Sequence, residues 1–128
     1  MPHARGSQQR ALAGYTAVQI SAVGPIPPET IKAICDANGI KIVITHEPRE
    51  DIIGEPKKII ARLQAMDCKN TAFSGSAPDA AGYAAMAAEM AAVAPTYSAA
   101  GIQLSYHNHA HEFTRFEDGR TGMDILFE

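Results

Sequence analysis

The sequence is short of the features that mark several protein classes, and each shortage excludes something. Its two cysteines, Cys35 and Cys68, are far apart and lie in helix-like and turn-like contexts. A disulfide framework needs more than that, so both are expected as thiols in a reducing compartment, the cytoplasm. No apolar run approaches the ~20 residues of a membrane span. No sign of charge dominates: 11 Lys and Arg stand against 14 Asp and Glu, interspersed, for a net charge of −3. That balance offers no basic stripe for a phosphate backbone, so no nucleic acid partner is expected. The segment Met1–Arg10 has basic residues with no apolar stretch behind them, and does not read as a secretory leader. It also lacks any hydrophobic period, which predicts a flexible lead-in over 1–10 and one domain over 11–128.

What is present is a regular alternation. Hydrophobic residues make up 46% of the 128, enough for one core. Ala11-Leu-Ala13 before Gly14 resembles the last turn of a helix. Thr16–Ser21, Ile40–Thr45, Asn70–Ser74 and Ile102–His107 read as short strands. Between them, Pro28 and Pro56 are placed to open helices at the first turn. Ile31, Ile34 and Cys35 form one helical stripe, which Asn38-Gly39 ends, and Ile59, Ile60 and Leu63 form another. A long alanine-rich helix is expected over 79–100 with Met86, Met90 and Val93 buried, and Pro95 predicts a kink or restart. A last helix begins at Thr121. Strand and helix alternating four times means an α/β fold with a parallel sheet and helical crossovers. Doubly wound sheets and TIM barrels share that order, and a full barrel takes ~250 residues.

Chemistry-bearing residues concentrate at the strand ends. In Leu104-Ser-Tyr-His-Asn-His-Ala-His-Glu-Phe113, His107 and His109 are two apart, so a strand continuing through them would point both to one side. Imidazoles with a carboxylate three residues on suit Zn²⁺, Mn²⁺, Fe or Co. A His-rich strand end is also consistent with a hydrogen-bonded surface turn. In α/β architectures ligands bind at the carboxyl ends of strands; here those ends are Gln19-Ile-Ser21, Thr45-His46-Glu47, Ser74-Gly-Ser76 and His107-Asn-His109. Glu47 and Glu112 are the candidate proton-transfer carboxylates. Ser74-Gly75-Ser76 offers backbone N–H groups to a phosphate. Arg49, Lys57, Lys58 and Arg62 read as a solvated helix surface.

Gly14–Ser21, Thr45-His46, Asp67-Cys-Lys69, Thr121-Gly-Met-Asp-Ile125 and above all Tyr106-His-Asn-His-Ala-His-Glu-Phe113 together resemble the sugar phosphate isomerase/epimerase family. Its members are xylose-isomerase-like TIM barrels, a group that also includes inosose dehydratases and endonuclease IV. The resemblance implies a partial (β/α)₈ barrel, with Thr16–Ser21 as the second strand and Ile102–Tyr106 as the fifth, and a truncated reading frame as the expected origin. It implies metal-assisted proton abstraction next to a carbonyl of a sugar, sugar phosphate or inosose. It implies His107 as a ligand to a divalent metal (Mn, Zn, Mg or Co), binding weakly or not at all here. His109 and Glu112 would be catalytic, with His109 also a substrate contact and Glu112 an alternative metal ligand or a substrate-binding carboxylate, and Gln19, His46 and Asn108 would contact substrate. The rival expectation is a non-catalytic half-barrel that self-associates or binds a partner through open sheet edges and hydrophobic strand faces. A third is a small metal-binding module without catalysis.

Overall fold

The computed structural model describes residues 13–128. The expected lead-in over 1–10 and the helix end at Ala11-Leu12 therefore lie outside the described residues. Four strands make one sheet: β1 (Ala17–Ser21), β2 (Lys41–His46), β3 (Asn70–Phe73) and β4 (Gln103–Tyr106). All pair in parallel, in chain order β1-β2-β3-β4. Each strand lies within a residue of its expected bounds. Among the described residues β1 pairs only with β2, and β4 only with β3, so each keeps an open edge.

Helices α1 (Pro28–Ala37), α2 (Arg49–Gly54), α3 (Pro56–Ala65) and α4 (Ala80–Ala99) connect the strands, and α5 (Gly122–Leu126) follows β4. Proline opens α1 and α3 at the first turn, where its fixed φ is already helical and the missing N–H costs nothing. The Asp79 carboxylate accepts the Gly82 N–H at 2.8 Å and caps α4. Thr121 and Asp124 exchange side-chain and backbone bonds in a capping box at the start of α5. The short helix α2 has no counterpart among the expected elements, because six residues are too few to show a helical period.

Pro95 neither ends nor restarts α4, which runs as one helix of 20 residues. The turn beyond the proline is held from outside. Tyr97 is fully buried, and its hydroxyl donates to the Ile52 carbonyl at 2.7 Å. Tertiary contact overrides the local penalty.

The two faces of the sheet differ. Ile20, Thr45, Thr71 and Leu104 align across it on the side covered by helices, where Ile31, Ile59, Leu63, Phe73, Met86 and Tyr97 complete the core. Thr45 and Thr71 are fully buried there, but their hydroxyls bond each other at 2.7 Å, so neither carries an uncompensated polar group. The next row, Ser21, His46, Ala72 and Ser105, takes the opposite face. Gln19 and Gln103 also lie on it and are exposed, with Asn70 half-buried. The expectation of hydrophobic strand faces therefore holds on the helix side only; the inner face is mostly polar.

A bulge sets this arrangement. Val18 pairs with Ile42 but Gln19 with Ile44, so Val43 is an extra residue in β2. One extra residue reverses which face the following side chains take. It lets Ile42 and Thr45 both sit under the helices, and it turns His46 inward beside Ser21.

Candidate functional site

The site grows from the carboxyl ends of the strands. His46 ends β2 on the inner face, with Nδ1 3.4 Å from the Ser21 hydroxyl at the end of β1. Its Nε2 lies 3.2 Å from the Ser74 hydroxyl just past β3. One ring nitrogen of a neutral imidazole donates and the other accepts, and serine hydroxyls serve either role. His107, the first residue past β4, stacks on His46 with ring centroids 4.7 Å apart. His109 follows at 5.0 Å from His107, and His111 stacks on His109 at 5.6 Å. Four histidines thus form a continuous row from the mouth of the sheet out to its rim.

Burial, then the neighbouring His107 and His109, lower the His46 pKa, against a smaller opposing pull from Glu47. His46 is accordingly neutral at neutral pH, able both to donate and to accept a hydrogen bond.

Glu112 occupies a different position from the one its sequence suggests. It is fully buried in a 3₁₀ turn, His111–Phe113, on the outer side of β4. Its Oε1 accepts from the Tyr106 hydroxyl at 2.9 Å and its Oε2 from the His109 N–H at 2.8 Å. Burial pushes its pKa up, but the bonds from its own N–H, Tyr106 and His109, with the charge of His111, pull it down further. Glu112 is therefore ionised. Burial and the bond to that carboxylate push Tyr106 up to about 12. The single Tyr106 hydroxyl proton has two acceptors, Glu112 Oε1 at 2.9 Å and the Gly75 carbonyl at 2.8 Å, while the hydroxyl oxygen accepts the Gly75 N–H at 3.2 Å. The Gly75 carbonyl is met by His111 Nε2 at 2.9 Å, and the same nitrogen is 3.0 Å from Glu112 Oε1. Glu112 locks the His107–Phe113 loop onto the loop after β3.

Several expected residues sit elsewhere. His109 neighbours His107, but through this loop and not through strand alternation, since β4 ends at Tyr106. Gln19 is on the inner face one row deeper, opposite Ile44, and Ser21 takes the contact with His46. Asn108 is exposed and turns its amide to the His109 carbonyl at 3.1 Å. The phosphate cradle at Ser74-Gly75-Ser76 is not formed: the Gly75 N–H is used by Tyr106 and α4 is capped by Asp79. Glu47 is buried and accepts from Arg62 Nε at 3.0 Å. Arg49 Nε donates to Glu89 at 3.1 Å. Those two arginines tie elements together, unlike Lys58, which pairs on the surface with Glu55.

Ser21, Ser74 and Tyr106 complete the site through their hydroxyls; the sequence placed the two serines at strand ends, Ser74 only for its backbone, and Tyr106 in the His-rich motif, without giving any of these side chains a role. A cleft of about 480 Å³ opens beside His46, Ser21 and Ser74, and Arg49, Lys58 and Arg62 also line it.

The inner-face groups do not make up the ligand set of the implied divalent metal. His46 and His107 stack as two imidazoles with no carboxylate in their set, which is short of the three protein ligands a catalytic ion normally takes. Among the described residues, three donors converge only at His109, His111 and Glu112, whose ligand atoms all lie within 4.8 Å of one another. No helix among those residues is long and apolar enough to cross a membrane.

The sequence matches no protein-family model and no curated protein. Solved structures do match. A sugar phosphate isomerase/epimerase from Parabacteroides distasonis aligns with a TM-score of 0.78 at 18% identity, over 96% of this chain and 54% of that one. A family 2 AP endonuclease from Brucella melitensis aligns with a TM-score of 0.69 at 15% identity, over 83% of this chain and 49% of that one. The chain spans about half the length of each. At these identities the likeness shows the fold: four parallel strands and their helices in the arrangement of a partial TIM barrel.

Proposed function

We propose that this chain forms one side of the substrate mouth of a sugar phosphate isomerase/epimerase-like barrel, acting on the carbon next to a carbonyl in a sugar, sugar phosphate or inosose. The observation that carries the reading is the convergence of Ser21, His46, Ser74 and His107 at one end of the sheet, the end where barrels of this kind bind ligands. Imidazoles and hydroxyls suit a polyol, which offers donors and acceptors in alternation. Gln19 lies below this row and Asn108 at its rim, where each meets a different part of an extended substrate.

In such a reaction a base takes the proton from the carbon beside the carbonyl. The C–H electron pair moves into an enediolate, and the proton returns to the adjacent carbon or to the opposite face of the same one. His109, exposed at the rim with its backbone held on Glu112, is the proton carrier in this reading. Glu112 acts through the histidines it holds. His107 contacts substrate, and no step is assigned to a metal there. A calorimetric titration with a ketose phosphate such as fructose 6-phosphate tests the proposal. Binding that weakens in His46→Ala and His107→Ala supports it; binding unchanged in both contradicts it.

The non-catalytic alternative, a half-barrel that self-associates, draws on one observation: β1 and β4 each present an unpaired edge among the described residues. Exposed edges template pairing with another chain. In that reading the polar inner face needs no substrate, and the ketose phosphate does not bind.

A further inference from the structure

We propose that His109, His111 and Glu112 form a binding site for a transition-metal dication of the Zn²⁺, Co²⁺ or Ni²⁺ type, separate from the inward-facing His46–His107 pair. Two imidazoles and one carboxylate are the donor set such ions prefer, and hard cations such as Mg²⁺ are poorly served by it. The three donor atoms lie within 4.8 Å of one another, and Glu112 Oε1 is already 3.0 Å from His111 Nε2. Donors on one tetrahedral ion, with bonds of 2.0–2.2 Å, stand about 3.4 Å apart. Modest closure of the His109 ring, which is exposed and stacked on His111 at 5.6 Å, brings the third donor in.

The surroundings are those of a prepared site. Glu112 is fully buried and ionised, oriented by the Tyr106 hydroxyl at 2.9 Å and the His109 N–H at 2.8 Å. Hydrogen bonds of this kind orient a ligating carboxylate and tune its basicity. His111 Nε2 already faces two oxygens, Glu112 Oε1 at 3.0 Å and the Gly75 carbonyl at 2.9 Å, so an ion seated between the nitrogen and the carboxylate takes the place of a hydrogen bond. The two exposed histidines leave the other side of the ion open to water, which is the open coordination of a reactive centre and not the closed one of a structural site.

The inference needs neither the inner face nor a substrate; it shares only His109 with the sugar reading, and that imidazole nitrogen cannot carry a proton while it ligates the ion. Its test is a Co²⁺ titration of the full chain, followed by visible absorption and calorimetry. One ion should bind per chain. His111→Ala, whose side chain is 44% exposed and therefore removable without a cavity, should weaken binding by at least about tenfold, and Tyr106→Phe by about tenfold through its effect on Glu112. His107→Ala should leave the affinity within about twofold of the parent. No Co²⁺ binding, binding unchanged in His111→Ala, or a loss in His107→Ala as large as in His111→Ala overturns the proposal. Circular dichroism of each variant separates ligand loss from unfolding.

Discussion

The imidazoles of His46 and His107 stack with 24° between their planes, one ending β2 and the other following β4. They are neighbours although β3 lies between their strands: the β3 residue level with His46 is Ala72, whose partner on β4 is Ser105, and His107 reaches the His46 ring from two residues further along. The stack sets the chemistry of the mouth.

His46 should therefore titrate below the ordinary histidine value. Burial is the main cause and the charge of His107 the next, so His107→Ala should raise the His46 pKa part of the way back. The folded pKa lies below the unfolded one, so the unfolded chain takes up the proton first. Stability should fall as pH drops below about 6.5. An NMR titration in which His46 titrates at or above that value contradicts the cause assigned here.

Glu112 should be the side chain whose loss costs most in the loop after β4. Glu112→Gln keeps the volume but removes an ionised acceptor of two hydrogen bonds, at a cost of about 2–3 kcal/mol in denaturant unfolding. Its pKa is lowered on folding, so its contribution is present above about 4.5 and lost as pH falls through the depressed folded value. Acid unfolding should thus proceed in two stages, with His46 acting first. A stability change below about 0.5 kcal/mol in Glu112→Gln would show that the loop is held by something else.

Much of the fold was legible because hydrophobic period and proline placement speak locally. The strands and the openings of α1 and α3 follow from Ile42, Ile44, Pro28 and Pro56 with no tertiary information. What was not legible depends on contacts between distant residues. Val43 reads as one more β-branched strand residue, yet it is the bulge that decides which way His46 faces. Pro95 reads as a breaker, and only the Tyr97–Ile52 bond explains why α4 continues. The histidine cluster could be named from its residues, but the burial of Glu112 could not, since Tyr106 and Gly75 approach it from separate parts of the chain.

Two glycines should respond differently to alanine. A Cβ at Gly75 meets the end of the flexible Met86 side chain, with Cε at 2.9 Å, which can rotate away. A Cβ at Gly122 meets the Tyr83 ring at 2.7–2.9 Å on three atoms, and that ring is buried and rigid. Gly122→Ala should lose about 1–3 kcal/mol by overpacking, and Gly75→Ala less than about 1. The reverse order in thermal unfolding would show that α5 sits on α4 less tightly than described.

The open edges of β1 and β4 should make the chain self-associate at micromolar concentration through strand pairing. Charged substitutions on an edge, Gln19→Lys and Ser105→Lys, should reduce the association seen by sedimentation. A compact monomer that unfolds cooperatively at those concentrations contradicts the expectation.

The most direct test of the mouth as the functional site is an NMR titration of the chain with fructose 6-phosphate, following the ring resonances of all five histidines and the backbone amides. The account predicts saturable shifts at Ser21, His46, Ser74 and His107, and none at Lys69 and Gly101 on the opposite end of the sheet. Saturable shifts confined to that opposite end, or none anywhere, would contradict it.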